Sequence, residues 1–156
     1  TRFGRISDMD RSSRRRNRGA PTTADDEAPA ALAGLAIEPE HSLATYRPSG
    51  SHRIHDLVDG IGRAIETCRT GGLTGLLVDL RGLERLPNTT SVDRFLMVEE
   101  WAAHARGHVA IAFVIVQPIV PPPSFVRRAA AEFGLPSESF AGEREARAWL
   151  AGFHRP

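Results

Sequence analysis

Asp79 stands at the end of the apolar run Leu76-Leu77-Val78, and Arg81 and the polar stretch Asn88-Thr89-Thr90-Ser91 follow within one loop. A carboxylate, a guanidinium and a row of hydroxyls gathered in one place offer three kinds of chemistry: bracing of exposed backbone N–H groups, recognition of a polar or charged partner, and acceptance of a phosphate. A hydrolase would ask for a nucleophile beside a base, such as Ser49 or Ser91 with His52 or His55 and Asp79 as the orienting carboxylate. The residue types exist, but no G-x-S-x-G elbow is present. His52 and His55 are three apart with Asp56 and Asp59 nearby, and His104 and His108 have H-x-x-x-H spacing. Gly107 and the β-prone run that starts at His108 break the second pair, and neither pair has a third ligand, so no metal is expected. Gly60-Ile61-Gly62-Arg63 falls inside a helical pattern and cannot form a phosphate loop. The reading is of a non-enzymatic protein with no cofactor, in which Asp79 braces its loop and Thr90 or Ser91 caps a helix.

These residues need a scaffold, and the hydrophobic pattern supplies one. Residues 73–80 are nearly unbroken in their apolar character, the signature of a strand covered on both faces, and this is read as the central parallel strand. In open α/β sheets, sites form at the carboxyl ends of such strands. Before it, Leu35-Ala36-Ile37 and Leu43-Ala44-Thr45-Tyr46 flank the polar turn Glu38-Pro39-Glu40-His41 and predict an antiparallel hairpin. Ile54, Leu57, Val58, Ile61, Ile65 and Cys68 recur with helical period; Ser49 or Ser51 is the expected cap, with His52 and His55 in the first turn and Gly71-Gly72 as a left-handed stop.

After the central strand, Thr90-Ser91-Val92-Asp93 fits a capping box. It opens a helix whose buried stripe is predicted to comprise Val92, Phe95, Leu96 and Ala102, widened by Val98 and Trp101. Residues 108–116 are the most β-prone run and should lie parallel beside the central strand; the prolines of residues 118–123 make a stiff loop. A third helix carries Val126, Ala129, Ala130 and Phe133 and stops at Gly134; residues 137–140 form a short edge strand. The last helix places Ala146, Trp149, Leu150 and Phe153 on one face, with Trp149 as its expected anchor and Glu143 and Glu145 near its positive end. The fold class is therefore α/β, in the order β-β-α-β-α-β-α-β-α, with a mixed, mostly parallel sheet covered by amphipathic helices.

Bulk composition bounds the rest. The 156 residues carry a net charge of +1, but residues 1–20 hold seven Arg against two Asp, or +5, leaving 13 Arg against 17 acids, or −4. Residues 1–30 have too few apolar groups to offset the entropy of ordering and are read as a disordered Arg-rich tail, with residues 31–156 as a single domain. Arg14, Arg15, Arg16 and Arg18 give that tail a weak electrostatic handle for nucleic acid, anionic lipid or an acidic partner. The lone Cys68 packs as a small hydrophobe. No apolar run reaches the length of a membrane span and no signal peptide is visible, which places the expected localisation in the cytoplasm.

The element order, L-L-V-D-L at residues 76–80 and S-V-D-R-F at residues 91–95 together resemble the STAS (SpoIIAA-like) domain family, which is similar in fold to the CRAL-TRIO lipid carriers. V-A-I-A-F-V-I-V at 109–116, F-G-L at 133–135, S-F-A-G-E at 139–143 and A-R-A-W-L at 146–150 extend the likeness, which covers residues 35–153. In anti-sigma-factor antagonists of that fold, a Ser or Thr at the start of the helix after the central strand is phosphorylated, controlling binding to a kinase-like partner. The resemblance puts Thr89, Thr90 and Ser91 in that place; here no Gly follows the hydroxyls and Pro87 precedes them. The expected recognition surface is Asp79, Arg81, Asn88, Thr89, Thr90 and Ser91, and the expected activity is regulatory binding of a protein partner. The alternative is a carrier or sensor of a small apolar or anionic ligand, in a pocket lined by Phe95, Trp101, Phe125 and Phe133; a groove beneath residues 118–123 is the next candidate site. The oligomeric state is not legible.

Overall fold

The computed structural model describes residues 31–116, 128 and 130–153. The expectations for the tail, the Pro-rich loop of residues 117–123, Phe125, Val126 and Ala129 lie outside the described residues. The compact unit that begins at Leu32 is built on a five-stranded sheet in the order β1-β2-β3-β4-β5. These strands are β1 Leu35–Glu38, β2 Leu43–Tyr46, β3 Gly75–Asp79, β4 Ala110–Val114 and β5 Ser137–Phe140. β1 is antiparallel to β2 and every later pair is parallel, so the sheet is mixed and mostly parallel, with β3 at its centre as the apolar run predicts. The helices are α1 Ile54–Thr70, α2 Ser91–Ala105 and α3 Glu143–Ala151; Arg128 and residues 130–132 are also helical.

Because the strand order never reverses, crossovers of one hand must all fall on one face of the sheet. They do. α1 and α2 pack with Ala44, Tyr46, Leu76, Val78, Ile111 and Phe113, alternate residues of three strands, and Ala130 and Leu135 join the same core. The other face is left to α3, whose Ala146 and Leu150 meet Leu43, Leu77, Ala110, Ala112 and Val114. Consecutive residues such as Leu76 and Leu77, both fully buried, therefore point into different cores. Gly75 shows why α3 can lie so close: a Cβ there would press on Leu150 at 3.3 Å.

Local chemistry ends the helices as the sequence implies, with two corrections. Gly72 (φ +74°) is the left-handed residue after α1, where the Leu73 N–H donates to Cys68 O at 2.8 Å and the Gly72 N–H to Arg69 O at 3.3 Å. Gly134 (φ +73°) ends the third helical segment in the same way, through Leu135 N–H to Ala130 O at 2.8 Å. Neither Ser49 nor Ser51 caps α1, however. Its N-cap is Arg53 without a side-chain bond, so His52 lies before the helix, where its Nε2 is 3.0 Å from Ser49 O. The second correction concerns α2: Val98, Trp101 and Ala105 face the core, while Val92 and Leu96 are 67% and 56% exposed. The period and the Val98, Trp101 and Ala102 part of the stripe are as expected, but Val92 and Leu96 point outward, because Trp101 reaches the Val58 carbonyl on α1 with its Nε1–H (3.1 Å) and fixes the rotation.

The last helix also differs from expectation. Trp149 is half-buried and sits beside Phe140 and Phe153, ring centroids 5.9 and 4.4 Å away, while Leu150 takes the core position. A nine-residue helix has room for few fully buried side chains, and the slot over Gly75 suits Leu150 better than an indole. Cys68 is fully buried, and burial pushes its thiol up to about 12, in line with a structural role.

Candidate functional site

Two groups of residues make up the surface expected to carry function, and each is held by its own partners. The first lies at the carboxyl end of β3. Asp79 points to the α3 side, as Leu77 does, and is buried; its Oδ1 accepts from the Arg81 backbone N–H (3.1 Å) and Nε (2.9 Å), and its Oδ2 from Arg81 Nη2 (2.8 Å). The expected bracing of the loop is thus present, with a two-pronged guanidinium added to it. Arg47, which follows β2, places Nε 3.5 Å from Asp79 Oδ2 and its Nη2 on Glu143 at the start of α3. Hydrogen bonds from Arg81, opposed by burial and aided by the Arg47 charge, hold the Asp79 carboxyl below the ordinary carboxylate range. An oxyanion so engaged is a poor proton acceptor and does not orient His52 or His55; the latter faces Asp59 at 3.5 Å.

The network continues beyond the expected residues. Arg147 donates from Nε to Glu143 (3.1 Å) and from Nη1 and Nη2 to the two oxygens of Glu38 on β1 (3.1 and 2.9 Å). Arg81, Asp79, Arg47, Glu143, Arg147 and Glu38 form a chain of alternating charge from the end of β3 across α3 to β1. Arg47, Glu143, Arg147 and Glu38 were missed by reading the sequence. A signal existed for one: with β2 and β3 in the register Leu43 to Gly75, Arg47 falls opposite Asp79, but using it requires knowing that these strands are neighbours. Beyond the sheet the two loops stay paired through Gly50 N–H to Gly82 O (3.1 Å) and Glu84 N–H to Gly50 O (2.9 Å).

The second group is the start of α2. Thr90 is the N-cap: its Oγ1 accepts from Asp93 N–H (3.1 Å), and Asp93 Oδ2 accepts from Thr90 N–H (2.9 Å), the reciprocal box that the sequence predicts. The bonds from Thr90 hold the Asp93 carboxyl low. Ser91 opens the helix, and Asn88 is exposed. The Thr89 hydroxyl accepts from Arg94 Nε at 2.7 Å, and the residue is half-buried. Next to this end, Val92, Leu96 and the 36%-exposed Phe95 form an outward apolar step, with Glu99 and Glu100 exposed one turn on.

Of the aromatic residues expected to line a pocket, the three described do not all come together. Phe95 meets Phe133 edge-on at 5.2 Å, whereas Trp101 stacks obliquely on Phe113 at 5.7 Å inside the core. Glu38, Glu40 and His41 bring three metal-ligand atoms within 4.8 Å of one another, but both oxygens of Glu38 are taken by Arg147. Among the described residues no helix is long and apolar enough to cross a membrane.

Among solved structures, the chain matches the anti-sigma factor antagonist SpoIIAA in its unphosphorylated form. The match covers 76% of this chain and 97% of that one, at 18% identity and a TM-score of 0.43. No family model matches the chain, and no curated protein does. The α/β architecture with its five-stranded, mostly parallel sheet stands on the strand pairings themselves.

Proposed function

We propose that this protein is a non-catalytic, intracellular regulatory module that binds a protein partner through the start of α2 and the adjoining loop of residues 88–91. The observation that carries this reading is the outward apolar step of Val92, Phe95 and Leu96 directly beside the capped helix end. A helix that already buries Val98, Trp101 and Ala105 has no folding need for apolar groups on its other side, and their solvation is a standing cost that a partner removes. Asp79 and Arg81 take the supporting part, fixing the loop that leads from β3 toward this helix.

Thr89 is better placed than Thr90 to receive a phosphate, because Arg94 already donates to it and the helix N-terminus favours added negative charge. A phosphate on Thr90 would instead meet the Asp93 carboxylate and break the box. The test is to immobilise the protein, pass cell extract over it, and identify retained proteins and lipids by mass spectrometry. Wild type is compared with Val92→Glu/Leu96→Glu and with Thr89→Glu. Proteins retained by wild type and lost from the double variant bear the reading out; an unchanged set sinks it, and lipids retained in place of proteins would favour a carrier.

A further inference from the structure

Among the described residues α3 is the one helical cover on the face of the sheet opposite α1 and α2, and its attachment differs in kind from the rest of the fold. α3 contributes only Ala146 and Leu150 as fully buried side chains, and its N-cap, Gly142, makes no side-chain capping bond. What binds its flank to β1 and β2 is charge: Glu143 to Arg47, and Arg147 to Glu38 and Glu143, with Arg47 continuing to Asp79. The side chains of Arg47, Glu143, Arg147 and Glu38 are 43%, 30%, 32% and 24% exposed, so salt reaches them. Around them Arg144 and Glu145 are exposed, Glu138 on β5 accepts from Ser139 N–H, and β4 beneath presents Ala110, Ala112 and Val114.

A second observation lies under the same seam. Thr45, between Leu43 and Arg47 on the α3 side of β2, is 1% exposed, and its Oγ1 has no hydrogen-bond partner among the described residues. A buried hydroxyl without a partner penalises the closed arrangement, and lifting the helix would return it to water.

We infer that α3 is a charge-locked cover that lifts from the sheet as a unit while the strands and the opposite core remain folded, exposing Leu43, Leu77, Ala112 and Val114. The lock is the alternating chain from Asp79 to Glu38, and whatever screens or competes for Arg47 and Arg147 releases it. This inference is independent of partner binding at α2.

Hydrogen exchange on the full chain, read by mass spectrometry, tests it, with thiol labelling of Cys68 in the opposite core as the monitor of global unfolding. The amides at the centre of α3 should exchange at least about tenfold faster than those of β3, and faster again in about 1 M salt, where screening acts over ~3 Å. Cys68 should label no faster under the same conditions. Glu143→Gln, which removes the link between Arg47 and Arg147, should speed α3 exchange by about tenfold while leaving β3 unchanged. Thr45→Val, which removes the unpaired hydroxyl at nearly constant volume, should slow it by about fivefold or more. Exchange of α3 in step with β3, Cys68 labelling that rises together with α3 exchange, or an unchanged rate in either variant would overturn the proposal.

Discussion

The two faces of the sheet solve the same problem by different means. On one, α1 and α2 interlock with each other and with alternate residues of the strands: Trp101 bonds to α1, and Gly60 lies so close to Tyr46 that a Cβ would collide with its hydroxyl. On the other, one short helix with two buried side chains rests on the strands and is pinned at its flank by ion pairs. The difference follows from strand order. A sheet that adds strands in one direction sends every crossover to one side and leaves the other to segments outside the crossovers, such as the one after the last strand. A dense core tolerates little change because its neighbours cannot settle into a void, whereas a cover held by long polar side chains can.

The comparison is most easily broken by the two tryptophans. Trp101→Ala should cost about 3–5 kcal/mol, since it empties a core position and removes the hydrogen bond to the Val58 carbonyl. Trp149→Ala, at a half-buried site, should cost about half of that. Chemical denaturation measures both, and equal losses would mean that the faces do not differ. Leu76→Ala and Leu77→Ala sharpen the test, because adjacent residues of one strand probe opposite cores. Both should destabilise, Leu76 by about 3–5 kcal/mol and Leu77 by about 2–3, as α3 settles into the smaller space. A larger loss at Leu77 would contradict the loose-cover picture.

Smaller effects belong to the rims. Thr90→Ala removes one arm of the capping box and should lower stability by about 0.5–2 kcal/mol without altering α3 exchange. Acid should act on α3 before the opposite core. Glu38 is held low by the Arg147 hydrogen bonds; for Glu143, burial pushes up, but bonds and charge from Arg47 and Arg147 prevail and leave it low as well. Folded values below the unfolded ones mean stability that is complete above the unfolded carboxylate range, about pH 4.3, and that is lost as pH falls through the folded values. Near-UV circular dichroism of the tryptophans, followed with α3 exchange from pH 7 downward, should show α3 loosening first; simultaneous loss of both faces would speak against a separate electrostatic seam.

How far the sequence could be read follows the same division. Periodicity located every described strand and the three helices, because the burial demands of a two-sided core leave a strong mark on residues such as Leu76, Val78, Ile61 and Ile65. The capping box at Thr90 and Asp93 was also legible, being local. Rotation of α2 was not, since Val92 and Leu96 satisfy a helical period as well as Val98 and Trp101 do, and only the Trp101 bond to α1 decides between them. The same holds for Trp149, whose bulk marks it as core although the space over Gly75 admits Leu150. Asp79 was legible as the brace of its loop; Arg47, Glu143, Arg147 and Glu38 were not, because a polar contact between distant segments leaves no periodic trace.

The unreversed strand order also bears on how the chain assembles. Each strand pairs with the one before it in the chain, so a growing polypeptide always finds its next neighbour already made. The β1–β2 hairpin needs only a short turn, and each later addition closes a loop of one crossover, never one spanning the whole sheet. α3, which rests on β3 and β4, has its platform ready when it emerges. Pulsed hydrogen labelling during refolding should therefore protect β2 and β3 before β5, and α3 last; early protection of α3 would show that assembly does not follow the strand order.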